Sequence, residues 1–151
     1  MQELRELYQT VILDHNKAPR NFGPLEDANR EADGHNPLCG DRLTVYLLVE
    51  DDDRIADVRF EGAGCAISTA SASLMTEHVK GRQLAEVAVD FDRFHELVTG
   101  PVNEAANTEE LGKLAVFAGV REFPMRVKCA TLSWHTLQAA IGQTPETAKT
   151  E

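Results

Sequence analysis

Three cysteines carry the chemistry that this 151-residue sequence offers, and each sits in a frame that presents a side chain. Cys39 lies in Asn36-Pro37-Leu38-Cys39-Gly40-Asp41. Cys65 follows Gly62-Ala63-Gly64 and precedes Ala66-Ile67-Ser68. Cys129 lies in Arg126-Val127-Lys128-Cys129-Ala130. Three thiols and one carboxylate, that of Asp41, complete a four-coordinate shell for a thiophilic metal. Cys39 and Asp41 are one residue apart, so both can face one ion. Cys65 opens a predicted helix, whose free N–H groups and dipole favour a thiolate. Cys129 has Lys128 beside it and Arg126 one helical turn ahead, two cations that favour an anionic sulfur. The intervals between the cysteines are long and uneven, unlike the close pairs of zinc fingers. Such residues read as a metal or sulfur handler. Of the five histidines, only His35, next to the Cys39 loop, is retained as a supporting residue; the others read as surface or capping groups.

The elements that must position these residues emerge from periodicity. Residues 2–16 predict an amphipathic helix, with Leu4, Leu7 and Val11 on one line and Tyr8 and Ile12 beside it, and Pro19 just beyond its end. Residues 18–41 are rich in glycine and proline and read as loop, with a short extended piece near Arg30–Asp33. Residues 42–49 and 54–61 read as an antiparallel hairpin around the polar turn Glu50-Asp51-Asp52-Asp53, with Ala56, Val58 and Phe60 on the packed line of the second strand and Ile55 at its start. A helix over about 65–80 is lined with small residues and stops at Gly81. Another spans about 84–98, before Gly100-Pro101. Asn107 with Glu110 predicts an N-capped helix running to about Phe117. The last helix starts near Pro124 and buries Val127, Ala130, Trp134, Leu137 and Ile141. Residues 143–151 are polar and read as a frayed tail. The fold class expected is therefore α+β: a small antiparallel sheet of about three strands packed against several helices, in one domain over 1–142.

Composition bounds the function. Apolar content of 42% fits a globular fold, and a chain of this length buries a sufficient core without disulfides. The formal net charge of −10 opposes binding to nucleic acid and to anionic membrane surfaces. No apolar run reaches membrane-spanning length, and the charged N-terminus has no signal-peptide core, so a cytoplasmic protein is expected. A reducing compartment favours metal or catalytic roles for an odd number of cysteines. A zinc hydrolase of the nucleobase-deaminase kind would need Cys-x-x-Cys and His-x-Glu, and neither occurs. A purely structural metal in an adaptor remains the blander alternative.

The three cysteine motifs, extended at the last by Thr131-Leu132-Ser133-Trp134, resemble in order and context the signatures of the SufU branch of the IscU/NifU-like iron–sulfur cluster assembly proteins. The resemblance runs from about Leu4 to Ile141. Scaffold-type IscU proteins carry a His immediately before the third cysteine; this chain has Lys128 there, and its segment of about 99–122 resembles the insertion typical of SufU. The resemblance implies zinc held by Cys39, Asp41, Cys65 and Cys129, with Cys39 as the sulfur acceptor. It implies a pyridoxal-phosphate cysteine desulfurase of the SufS type as partner, a His of which replaces Cys39 on the zinc. It gives Arg126 a supporting role, pairing with Asp41 when ligands exchange, and allows a downstream iron–sulfur scaffold complex as a further partner. A loop-borne Cys39 beside glycine is the natural mobile ligand, whereas Cys65 and Cys129 sit on helices. The second reading within the same family is a scaffold on which a [2Fe–2S] cluster, or iron, is assembled.

Overall fold

The computed structural model describes residues 2–100, 111–143 and 148–149. Helix α1 (Gln2–Lys17) is followed by strands β1 (Arg30–Asn36), β2 (Asp41–Val49) and β3 (Ile55–Ala63). Helices α2 (Ala66–Val79) and α3 (Leu84–Thr99), a 3₁₀ segment (Gly112–Glu122), helix α4 (Pro124–Ile141) and the two-residue strand β4 (Ala148–Lys149) complete the order. The sheet order is β3-β2-β1-β4, with β2 antiparallel to both β1 and β3, and β4 parallel to β1 at Gly34 and His35. The expected antiparallel sheet and helices are present, and β1 is longer than the short extended piece read from the sequence. The polar tail carries no pattern that signals the β4 pairing. No helix among the described residues is long and apolar enough to cross a membrane.

Strand β2 alternates strictly. Asp41, Leu43, Val45, Leu47 and Val49 face inward and are buried, while Arg42 is exposed and Thr44, Tyr46 and Leu48 are half-buried. On β3 the inward set is Ile55, Val58 and Phe60. Ala56, expected on that line, is half-buried instead. The cause is a bulge: Leu48 pairs with Asp57 and Val49 with Ile55, leaving Ala56 as the extra residue. That extra residue shifts the phase and brings Ile55 to the core face.

Helix α4 covers the inner face of β1 and β2, and α2 packs on α4, α1 and β3. The close fit depends on small residues. A Cβ on Gly34 of β1 would collide with Thr136 Oγ1 of α4. Ala70, Ser71, Ala72 and Ser73 of α2 are buried, and Ser71 donates to the carbonyl of Ala130 at 2.6 Å. Trp134 stacks on Phe94 at 5.1 Å between ring centroids, fully inside the core as its place on the stripe predicts. The buried Nδ1 of His15 lies 2.6 Å from Ser73 Oγ, which accepts the N–H of Arg20 at 2.8 Å and so ties the chain after α1 to α2.

The helix expected from Asn107 differs. Residues 107–110 lie outside the described residues, and Gly112–Glu122 winds as a 3₁₀ run. Leu111, Leu114, Phe117 and Val120 are all buried. That is a spacing of three, which lines up on one edge of a three-residue turn and would wind away from the core on an α-helix.

Candidate metal centre

The β1–β2 hairpin is closed by the pair Asn36 and Asp41, which lie opposite each other in the register. Between them runs the loop Pro37-Leu38-Cys39-Gly40. Gly40, at φ +72°, takes a left-handed conformation that other residues resist, and turns the chain into β2. The carbonyl of Asn36 accepts from Gly40 N–H at 2.9 Å and Cys39 N–H at 3.3 Å. The loop thus holds Cys39 at the surface, where its side chain is exposed.

Asp41 is the opposite case. It continues the apolar inward line of β2 and is only 1% exposed. Its Oδ1 accepts the N–H of Cys65 at 2.9 Å, and its Oδ2 lies 3.8 Å from Cys65 Sγ. Gly64 makes this approach feasible, because a Cβ there would stand 3.0 Å from Asp41 Oδ1. Cys65 caps α2 with extended backbone angles, and its sulfur accepts the N–H of Ser68 at 3.4 Å.

Cys129, in the second turn of α4, is 4% exposed. Its sulfur lies 3.6 Å from that of Cys39 and accepts the Nδ2–H of Asn36 at 3.7 Å. Donor atoms of Cys39, Asp41 and Cys129 all lie within 4.8 Å of one another, and Cys65 joins them through Asp41. The structure therefore gathers Cys39, Asp41 and Cys129 of the expected four into one cluster, with Cys65 adjoining it only at the Asp41 carboxylate.

The electrostatics favour a cation. Cys65 is lowered from an ordinary thiol value of 9.0 to about 6 because the Cys129 thiol donates to it, helped by the backbone N–H groups of Ser68 and Ile67, against burial and the Asp41 charge. Cys129 is pushed upward as the donor of that same bond, and by burial and the neighbouring sulfur and carboxylate. Of this metal-free pair, Cys65 is the sulfur favoured as thiolate and Cys129 the one favoured as thiol. The Lys128 and Arg126 cations, expected to favour a Cys129 thiolate, do not prevail. Arg126 is exposed, its guanidinium 4.4 Å above the Phe123 ring, and it makes no ion pair with Asp41 in this structure. Among the described residues Asp41 has no ion pair at all. A buried carboxylate beside three sulfurs is costly unless a cation answers it.

Two of the donor separations fit such an ion. Tetrahedral zinc, with arms of about 2.3 Å to sulfur and 2.0 Å to oxygen, sets neighbouring sulfurs about 3.8 Å apart and a sulfur and oxygen about 3.5 Å apart. The observed separations are 3.6 Å between Cys39 and Cys129 and 3.8 Å between Cys65 and Asp41. His35 takes no part: it alternates with Gly34 and Asn36 on β1 and so projects from the opposite face, opposite Arg42. The supporting residue is its neighbour Asn36, signalled only by a polar side chain in phase with a buried strand line.

The sequence matches the family model of the NifU-like N terminal domain over residues 7–130. The chain belongs to this family. Among its relatives is the iron–sulfur cluster assembly scaffold protein IscU of Streptococcus pyogenes serotype M1, 42% identical over 141 residues that make up 93% of this chain and 86% of that one. The zinc-dependent sulfurtransferase SufU of Bacillus subtilis (strain 168) is also 42% identical, over 93% of this chain and 92% of its own. The fold is similar to the crystal structure of an iron–sulfur cluster assembly scaffold protein for the SUF system from Fervidobacterium islandicum AW-1, with a TM-score of 0.79 and 36% identity over 90% of this chain and 97% of that one. For a NifU-like domain of this kind, the setting is iron–sulfur cluster assembly, and the Cys/Asp constellation is its candidate metal site.

Proposed function

We propose that this chain is a zinc-dependent sulfurtransferase of iron–sulfur cluster assembly, with Cys39 receiving sulfur from a SufS-type cysteine desulfurase. The observation that carries the reading is asymmetry within the donor set. Cys39 is exposed on a glycine-hinged loop, whereas Asp41 and Cys129 are buried and Cys65 is fixed as a helix cap. One donor is therefore free to react while three keep their places. Zinc, when bound by Cys39, Asp41, Cys65 and Cys129, holds sulfur deprotonated and adds no redox chemistry of its own.

In the transfer the Cys39 thiolate attacks the outer sulfur of the desulfurase cysteine persulfide. A new sulfur–sulfur bond forms at Cys39, the old one breaks, and the desulfurase cysteine leaves with the electron pair as a thiolate. Cys39 ends as the persulfide with no external oxidant or reductant. Asp41 stays on the Cys65 N–H and keeps the remaining donors aligned. Arg126, at the exposed start of α4, supplies the cation that can turn to Asp41 once Cys39 has moved. Leu38, Phe123 and Met125 are large exposed apolar side chains next to Cys39 or near the start of α4, and they suit a protein partner at this end of the molecule.

The scaffold reading uses the same four residues to build a [2Fe–2S] cluster, and the name of the Streptococcus pyogenes relative favours it, while the Fervidobacterium islandicum protein is called both a scaffold and a SufU. Lys128 speaks against it, standing where scaffold-type proteins carry a His. Purification without chelator and a desulfurase assay on the product separate the two. Stoichiometric zinc and stimulated turnover that vanishes in Cys39→Ala support the sulfurtransferase. A stable cluster that reconstitutes anaerobically and passes intact to an apo-ferredoxin would replace it.

A further inference from the structure

Asn36 is fully buried, yet its carboxamide is not spent on the sheet. Its Nδ2–H donates to Cys129 Sγ at 3.7 Å, and its Oδ1 accepts the N–H of Leu38 at 3.3 Å. Its own carbonyl accepts from Cys39 and Gly40. One residue therefore grips the loop that carries the exposed thiol and, with the other end of the same side chain, the sulfur that stays buried. Its register partner Asp41 does the complementary task, reaching the N–H and sulfur of Cys65 on α2. The two closing residues of a single hairpin thus divide the fixed sulfurs between them, Asn36 serving α4 and Asp41 serving α2.

We propose that Asn36 is a positioning residue that orients Cys129 and holds it in place while Cys39 reacts; the inference rests on the four-residue metal centre proposed above. A sulfur that accepts a fixed N–H has one lone-pair direction occupied, so the others point where the amide leaves them. Cys129 has no comparable restraint from its own helix, where rotation about the Cα–Cβ bond is the remaining freedom. Groups that hold a ligand through one hydrogen bond typically change metal affinity when removed. A side chain that also closes the loop turn keeps the Cys39 sulfur within 3.6 Å of Cys129, so the same residue sets both the grip and the reach.

Two substitutions separate the two ends of the side chain. Asn36→Ser keeps an oxygen that can accept the Leu38 N–H but is too short to reach Cys129. Asn36→Ala loses both contacts. Anaerobic titration with Co(II), read by its sulfur-to-metal charge-transfer absorption and by competition with a chelator, should show both variants about tenfold to a hundredfold weaker than the parent chain. The charge-transfer band should shift in both. Alkylation of Cys39 in metal-free protein should accelerate only in Asn36→Ala. Asn36→Ser binding Co(II) with parental affinity and an unmoved band would overturn the proposal, as would a loss of affinity that merely tracks loss of helical circular dichroism in the metal-free protein. The sulfurtransferase reading fails on a different result: a parental chain that shows the thiolate–cobalt bands yet leaves a cysteine desulfurase unstimulated.

Discussion

The sulfur of exposed Cys39 lies 3.6 Å from the sulfur of buried Cys129, although the two come from a hairpin loop and a helix far apart in sequence. Reagents therefore meet the two thiols very differently. In zinc-loaded protein, limited alkylation with iodoacetamide should label Cys39 first, and mass mapping should find Cys65 and Cys129 protected. Addition of a cysteine desulfurase and cysteine should convert Cys39 to a persulfide and leave the other two unchanged. Label found first on Cys65 would remove the basis for Cys39 as the acceptor.

Loss of individual donors should be unequal. Cys129→Ser and Asp41→Ala remove buried donors and should release most of the zinc, measured by a colorimetric chelator. Cys39→Ala should retain zinc better than either, because three fixed donors remain, while sulfur transfer falls to background. Arg126→Ala should leave zinc content intact, since its guanidinium rests on Phe123 in this structure, and should lower desulfurase stimulation.

The opposite shifts of Cys65 and Cys129 give a pH dependence with a definite sign. Cys65 titrates near 6 when folded against 9.0 for an unperturbed thiol, so its thiolate stabilises the metal-free fold above pH 9 and that contribution is lost as pH falls from 9 toward 6. Cys129, shifted upward, contributes below its unfolded value and loses that contribution as pH rises past it. At a pH of about 7.5, between those two values, the metal-free protein therefore holds the Cys129 proton, which zinc must displace. Titration with zinc in weakly buffered solution should release that proton, and apparent affinity should climb with pH. A Cys65→Ser chain should lose the part of the acid-side fall in melting temperature that arises from this thiolate.

Gly34 and Thr136 test the packing that seats α4. A Cβ at Gly34 would collide with Thr136 Oγ1 and stand 3.1 Å from its Cβ. Gly34→Ala should cost about 1–3 kcal/mol of stability in denaturant titrations, as overpacking does. Adding Thr136→Ala removes the nearest atom and should recover part of that loss, giving a favourable coupling in a double-mutant cycle.

Gly64→Ala should act on the metal centre instead. The new methyl would press on Asp41, with nearest atoms at 3.0 Å, and the carboxylate must move by a few tenths of an ångström. Zinc retention should fall while the melting temperature of metal-free protein changes little. Equal retention in the two chains would show that the Asp41 carboxylate yields without consequence.

Much was written in residue order alone. The two-residue alternation of β2, the glycine and proline at helix ends and the apolar stripe of α4 determined where the main elements run, because local backbone preference and burial act over a few neighbours. The three cysteine motifs named the candidate donors for the same reason: their types and frames are local. Three matters were decided only when the chain closed. The bulge at Ala56 exchanged one inward residue for another, since pairing with β2 fixes the phase of β3. The spacing of three from Leu111 to Val120 became a 3₁₀ run because the surrounding helices bury that edge. The supporting role passed from His35 to Asn36, because hydrogen-bond direction and proximity between α4 and the hairpin belong to tertiary packing and to no single stretch of sequence.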